Sequence, residues 1–140
     1  MSSNANGALN EHFYKRLNIA DTTTSIAELR ELAKDIDWQI RECVAKNRNT
    51  PPAVLIELST DVDVPVRHRV GNNPYTPREV LVTLARATEW KVRLGVAGNK
   101  AISIELLREL IKDEDSFVRE EAFENPNCPM GLKVEYILSS

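Results

Sequence analysis

Residues 66–81 read VRHRVGNNPYTPREVL, and variants of this phrase recur along most of the chain. Each copy opens on an apolar residue followed by an arginine, and the arginines recur every 26 residues at Arg41, Arg67, Arg93 and Arg119. An asparagine follows each arginine six residues later, at Asn47, Asn73, Asn99 and Asn125. A period of this length is typical of helical repeats that stack on one another. The sequence therefore predicts a repeat protein whose functional residues lie on a broad surface.

Each unit is predicted to contain two helices. The first begins near Thr50 or Thr76, where threonine can cap free amides, and Glu79 would complete a capping box with Thr76. It carries an apolar stripe at helical spacing, as in Val54, Leu55 and Leu58. The second helix is predicted to be short, to begin after an acidic cap, and to end at an asparagine in the left-handed conformation. The acidic caps are Asp37, Asp63, Glu89 and Asp115.

Composition limits the class of protein. A chain of 140 residues, 42% of them hydrophobic, can form one domain with an aliphatic core. Its net charge of −3 supplies no overall attraction to nucleic acid or anionic lipid. Cys43 and Cys128 lack metal-ligand spacing and are expected to be free thiols, which indicates the cytoplasm. We expect no cofactor, no metal and no membrane partner, and a monomer or weak homodimer.

The quoted phrase resembles the leucine-rich repeat variant family, which is related to HEAT and armadillo repeats. The resemblance covers residues 24–130 and implies α-helices that alternate with short, often 3₁₀, helices in a right-handed superhelix, usually a binding scaffold. Members of this family can carry an iron–sulfur module on an N-terminal cysteine cluster. No cysteine precedes Cys43, so that cofactor is not carried over. The unit of Arg93 departs from the pattern, with Lys100, Ile102 and Ser103 in place of Pro74, Thr76 and Pro77.

These observations together predict an all-α, right-handed α/α (α/3₁₀) solenoid of about five 26-residue HEAT-like repeats. Residues 1–10 are expected to form a disordered tail, and residues 11–140 a single domain. Within that domain we expect a degenerate capping helix at 11–20, repeats over about 24–129, and a second capping helix at 130–138.

The repeated arginines allow two interpretations. Guanidinium groups at fixed spacing could bind phosphates or carboxylates along a groove. Alternatively, they form a structural ladder with Asp35, Asp61 and Asp113, which lie six residues before Arg41, Arg67 and Arg119. We favour the ladder, in which acid and arginine connect neighbouring units. Ala87 replaces the aspartate before Arg93, so Arg93 is expected to be the arginine most open to an outside ligand.

The repeated asparagines could likewise bind the backbone of an extended peptide or act as turn residues, and we favour the turn. Outward positions of the second helices provide a candidate binding surface. Its partner-binding residues are His68, Arg69, Lys91, Arg93, Leu94 and Phe117. An ordinary solvated face is the alternative, because scattered apolar residues are common on protein surfaces.

The sequence thus predicts a non-catalytic scaffold that binds a protein or peptide through the concave face of its second helices. No nucleophile and base stand at a recognisable spacing. One alternative is a nucleic-acid-binding protein similar to HEAT-like DNA glycosylases, because Trp38, Trp90 and Asp37 occupy related places, although the acidic segment 114–124 opposes duplex binding. Another is a self-associating structural adaptor.

Overall fold

The computed structural model describes residues 2–140, with side chains throughout from residue 10 onward. Over this range the chain is all-α, as predicted, with ten helices and no strand. The helices are α1 Ser2–Thr22, α2 Ile26–Leu32, α3 Trp38–Lys46, α4 Pro52–Leu58, α5 Val64–Asn72, α6 Arg78–Leu84, α7 Trp90–Ala97, α8 Ile104–Leu110, α9 Ser116–Glu124 and α10 Met130–Ser139.

The two helices of a unit differ in length in the opposite sense to the prediction. The first helices α2, α4, α6 and α8 have seven residues each. The second helices α3, α5 and α9 have nine residues and α7 has eight, and all four are α-helical.

Contacts between helices follow the order of the chain. Helix α1 packs on α3, α3 on α5, α5 on α7 and α7 on α9, and each first helix packs on the second helices before and after it. Exposed ion pairs join successive first helices, with Arg78 to Glu105 at 3.8 Å and Arg108 to Glu135 at 3.1 Å. Each unit is therefore held mainly by its neighbours in sequence.

The two ends of the chain are also helical. Helix α1 runs from Ser2 to Thr22, so it includes residues 2–10 of the predicted tail as well as the predicted capping helix 11–20, while residue 1 lies outside the described range. No proline interrupts this segment, so no residue in it removes a helical hydrogen bond. At the other end, α10 spans Met130–Ser139, close to the predicted 130–138.

The apolar stripe of the first helices forms one side of the core. Leu55, Leu81 and Leu107 are buried, and they pack in one cluster with buried residues of the second helices such as Val66 and Val92. Full burial of a side chain of this size contributes about 1.5–3 kcal/mol. The core is thus continuous from unit to unit.

The threonines do not act as helix caps. The caps of α4 and α6 are Pro51 and Pro77, and neither forms a side-chain capping bond. Instead, the hydroxyls of Thr50 and Thr76 are buried and donate to the carbonyls of Val44 and Val70 at 2.6 Å. The predicted capping box at Thr76 is therefore wrong, because its hydroxyl satisfies the C-terminal end of the preceding helix.

Three of the four repeated asparagines are the C-terminal caps of second helices, but not in the left-handed conformation that we predicted; α7 is instead capped by Gly98, next to Asn99. Asn47, Asn73 and Asn125 are extended, with φ of −67°, −75° and −60°. Each side chain is buried, and its amide donates to two carbonyls of the preceding unit. The acceptors are Ala20 and Thr23 for Asn47, Ala45 and Asn47 for Asn73, Gly71 and Asn73 for Asn99, and Ala97 and Asn99 for Asn125.

The asparagine oxygen forms a third bond within its own unit. Oδ1 of Asn73 accepts from the amide of Tyr75 at 2.9 Å. The other three repeated asparagines, which we call the ladder asparagines together with Asn73, accept in the same way from the residue two positions later. This Asx turn directs the chain from a second helix toward the next first helix. One side chain therefore sets both the turn and the spacing between units.

We expect Asn73→Ala to lower the free energy of unfolding by about 2–4 kcal/mol, because it leaves two buried carbonyls and one amide without partners. Asn49→Ala is the matched control, since Asn49 is exposed and its amide lies 3.5 Å from the Thr23 carbonyl. We expect the control to cost under about 0.5 kcal/mol. Urea unfolding followed by circular dichroism measures both, and equal losses would contradict the role assigned to Asn73.

Candidate functional site

The arginines of the second helices pair with carboxylates of the following unit. Arg41 donates from Nε to Asp61 at 2.8 Å and from Nη2 to Asp63 at 2.6 Å. Its third nitrogen, Nη1, donates to the carbonyls of Asp35 and Ile36. The aspartate six residues before Arg41 thus contributes its backbone, while the side-chain partners come from about 20 residues later.

Arg16 and Arg93 also pair through Nε with an aspartate about 20 residues later. Arg16 of α1 binds Asp35 and Asp37, and Arg93 binds both oxygens of Asp113 at 2.9 and 3.0 Å. Arg93 is only 7% exposed. The expectation that it is the arginine most open to a ligand is therefore wrong, because the aspartate missing at position 87 would have been the partner of another arginine.

That arginine is Arg67. Its Nη1 and Nη2 donate to Glu89, but its Nε is buried and has no hydrogen-bond partner among the described residues. In the other pairs the first aspartate accepts from Nε, and Ala87 occupies that place here. A buried unpaired N–H of this kind is costly. The arginine ladder is thus incomplete at this one interior position.

The ion pairs shift the pKa values of their members. Hydrogen bonding to Asp61, Glu89 and Asp113 raises the pKa values of Arg41, Arg67 and Arg93 above their ordinary value. The hydrogen bonds from Arg67 lower the pKa of Glu89 to about 2. These arginines therefore stay charged and are engaged in ion pairs.

A close approach of α5 and α7 shapes the outer face of the second helices. A Cβ atom at Gly95 would lie 2.3 Å from the carbonyl oxygen of His68, so only glycine fits there. The approach also allows Asn72 to donate to the Gly95 carbonyl at 3.3 Å. Beside this contact, the side chains of the two helices leave an open groove.

The groove has a volume of about 240 Å³ and an almost entirely apolar lining. It is lined by Val64, Pro65, His68, Trp90, Lys91 and Leu94. The indole of Trp90 stacks on Phe117, with ring centroids 5.5 Å apart, and the ammonium of Lys91 lies 5.7 Å from the Trp90 ring centroid. Phe117 is 61% exposed, so an aromatic surface continues from the groove onto α9. We call these residues together with Phe117 the aromatic groove.

His68 contributes a polar atom to the rim. Its Nδ1 lies 2.7 Å from the carbonyl oxygen of Lys91. A carbonyl oxygen only accepts, so Nδ1 donates, and Nε2 of the neutral ring is left as an acceptor. The rim therefore combines a cation at Lys91 with a hydrogen-bond acceptor at His68.

The structure brings together four of the six predicted partner-binding residues. His68, Lys91, Leu94 and Phe117 belong to the aromatic groove. Arg93 lies in the ladder, and Arg69 is half-buried with its Nε 3.1 Å from a carboxylate oxygen of Glu42. The predicted partner-binding set omitted Val64 and Trp90, and Trp90 was named only in the nucleic-acid alternative. Their position directly after the acidic caps, in the first turn that faces the neighbouring helix, is the signal that indicates them.

The residues behind the nucleic-acid alternative are partly occupied. The carboxylate of Asp37 accepts from Arg16 at 2.6 Å, and Asp35 is paired with the same arginine. Trp38 is 38% exposed and lies at the position of α3 that Trp90 holds in α7. Asp37 is thus engaged in the ladder.

Residues 2–140 contain neither a metal-binding cluster nor a membrane-spanning helix. No group of three or more His, Cys, Asp or Glu side chains is arranged to hold a metal ion within this range. None of the described helices has the length and apolar character needed to cross a membrane. Burial raises the pKa values of both free cysteines, Cys43 and Cys128.

Comparison of the chain with protein-family models, with curated proteins and with solved structures finds no match.

We expect Ala87→Asp to raise the free energy of unfolding by about 1 kcal/mol, because the new carboxylate can accept from the unpaired Nε of Arg67. Ala87→Asn is the matched control, with the same shape but no charge, and we expect a smaller gain. Thermal melting of the three proteins tests this. A melting temperature of Ala87→Asp at or below that of the wild type would contradict the interpretation that Arg67 Nε needs a carboxylate at position 87.

The Arg67–Glu89 pair should make stability depend on pH. The folded-state pKa of Glu89, about 2, is below its ordinary value of 4.5. Its contribution is therefore complete above pH 4.5 and is lost as the pH falls through about 2. We expect the wild type to melt above Glu89→Gln at pH 7, with a difference that disappears near pH 2.

Glu57→Gln is the control for that series, since Glu57 is exposed and belongs to none of the ion pairs of the described residues. Its melting temperature should follow the wild type at every pH. A difference between wild type and Glu89→Gln that stays constant with pH would contradict the assignment.

Proposed function

We propose that this protein is a non-catalytic scaffold that binds a segment of a partner protein in the aromatic groove. The proposed architecture is a right-handed solenoid of about five 26-residue HEAT-like repeats, similar to leucine-rich repeat variant proteins. Support comes from the second helices, which contact one another in chain order, and from ladder bonds that recur from unit to unit. The free cysteines support a cytoplasmic location.

The observation that carries the proposal is the exposed aromatic stack beside an apolar groove. Trp90 and Phe117 together present a large rigid surface, and aromatic residues of this kind dominate the binding energy of protein interfaces. The groove, at about 240 Å³, is smaller than the ~300–1,000 Å³ typical of small-molecule sites. Its size suits one apolar anchor side chain of a partner.

The rim indicates how such a segment would be oriented. Lys91 is exposed and can bind a carboxylate or carbonyl of the partner, while Nε2 of His68 can accept from a partner N–H. Both groups flank the apolar floor. An apolar residue next to an acidic one is therefore the segment that this surface would bind best.

Peptides selected from a random dodecapeptide phage library test the proposal. Selection uses a Trp38→Phe protein, in which Trp90 is the remaining tryptophan, so fluorescence reports directly on the groove. We expect selected peptides to change Trp90 emission. We also expect Pro65→Glu to weaken their binding at least tenfold, about 1.4 kcal/mol, because it places a charge in the groove.

Gln39→Glu is the matched control. Gln39 occupies on α3 the position that Pro65 occupies on α5, outside the aromatic groove, and both lie in the first turn of their helices, where an acidic residue is compatible with the helix dipole. Its binding should equal that of the unsubstituted protein. Equal binding by Pro65→Glu and Gln39→Glu proteins would refute the choice of surface.

A further inference from the structure

Arg119 is the fourth of the arginines spaced by 26 residues, and it has no carboxylate partner among the described residues. Its Nη1 donates to the carbonyls of Asp113 and Glu114 at 2.7 and 3.1 Å. Arg41 and Arg93 make the same pair of contacts with the carbonyls that precede their own helices. The guanidinium of Arg119 is therefore held in the conformation that the paired arginines adopt.

The remaining nitrogens of Arg119 are unoccupied within the described chain. In Arg41, Nε and Nη2 bind Asp61 and Asp63. Twenty residues after Arg119 stands Ser139, whose hydroxyl donates to the carbonyl of Tyr136. Arg119 is half-buried, and its Nε and Nη2 are not among the buried unpaired atoms, so solvent reaches them.

A groove of about 330 Å³ adjoins this guanidinium and is lined by Ser116, Arg119, Glu120, Phe123, Tyr136 and Ile137. Phe123 occupies on α9 the position of Gly71 on α5, where the small residue admits the next helix. Its ring packs against Tyr136 instead, with centroids 5.7 Å apart. The groove thus combines a pre-oriented guanidinium with an aromatic wall.

From this geometry we propose that Arg119 and the adjoining groove bind an Asp-x-Asp segment of a partner protein. The chain itself supplies the model for the ligand, because Asp35-Ile36-Asp37 and Asp61-Val62-Asp63 each place two carboxylates on one arginine. The middle residue of both segments is apolar and exposed. The charge of the ligand complements Arg119, the ladder arginine without an acidic partner among the described residues.

The acidic neighbours of Arg119 are compatible with this ligand. Glu120 lines the groove but is exposed, so solvent screens its charge. Glu42 occupies the corresponding position beside Arg41, where it pairs with Arg69 while Arg41 binds two aspartates. Asp113, the nearest aspartate in the preceding loop, is neutralised by two bonds from Arg93. Neither carboxylate therefore prevents binding at Arg119.

Arginine side-chain NMR tests the proposal with an acetylated, amidated peptide that carries the sequence of residues 58–66, LSTDVDVPV. We expect a saturable shift of the Arg119 Nε–H resonance, and binding at least tenfold weaker to Arg119→Gln. The same peptide with both aspartates replaced by asparagine should leave the resonance in place. That comparison uses wild-type protein only, so it holds even where Arg119→Gln is poorly folded.

Three results would overturn the proposal. The first is an equal shift with the asparagine peptide, and the second is unchanged binding to Arg119→Gln. The third is the same saturable shift with acetate at equal carboxylate concentration, which would indicate an adventitious ion only. The Pro65→Glu protein should bind the peptide as the wild type does, so this site and the aromatic groove are tested independently.

Discussion

The buried amide of the ladder asparagine is the interaction on which the rest of the structure depends. Each amide joins two carbonyls of the preceding unit, and its oxygen forms the turn that leads to the next first helix. These carbonyls lie at the end of a second helix, where the helix supplies no donors of its own. A single buried residue type therefore satisfies helix ends and sets the spacing of adjacent units at once. The geometry of the aromatic groove and of the groove at Arg119 depends on that spacing.

The arginine ladder adds a second connection, between the second helix of one unit and the loop of the next. At Arg93 the ladder consists of a buried pair with Asp113, and removal of one partner from such a pair destabilises the fold. The ladder also creates sites where it is incomplete. Among the described residues, Ala87 leaves the buried Nε of Arg67 without a partner, and Arg119 has two nitrogens, Nε and Nη2, without one. A structural device of this kind supplies a binding group wherever a partner residue is absent.

Much of the fold can be predicted from the sequence because it depends on the repeat period and on the pattern of apolar residues. The spacing of Leu55, Leu81 and Leu107 identifies the core face, since burial of one stripe requires helical periodicity. Four of the seven residues of the aromatic groove can also be predicted from helical periodicity, because His68, Lys91, Leu94 and Phe117 are outward positions of their helices. The depth of the groove does not follow. It depends on Gly95, whose close contact with the His68 carbonyl joins residues 27 positions apart.

The chain's sequence determines on its own that the protein is helical, where its units begin, and which residues recur. The choice of partners was decided only in three dimensions. Acidic residues lie both shortly before and about 20 residues after Arg41, Arg67 and Arg93, and sequence distance alone favours the nearer one. Stacking reverses that order, because the helix directs the guanidinium toward the next unit's loop, as Arg41 reaches Asp61. The same physics explains the asparagines, whose acceptors lie in the preceding unit and become neighbours only when the helices pack.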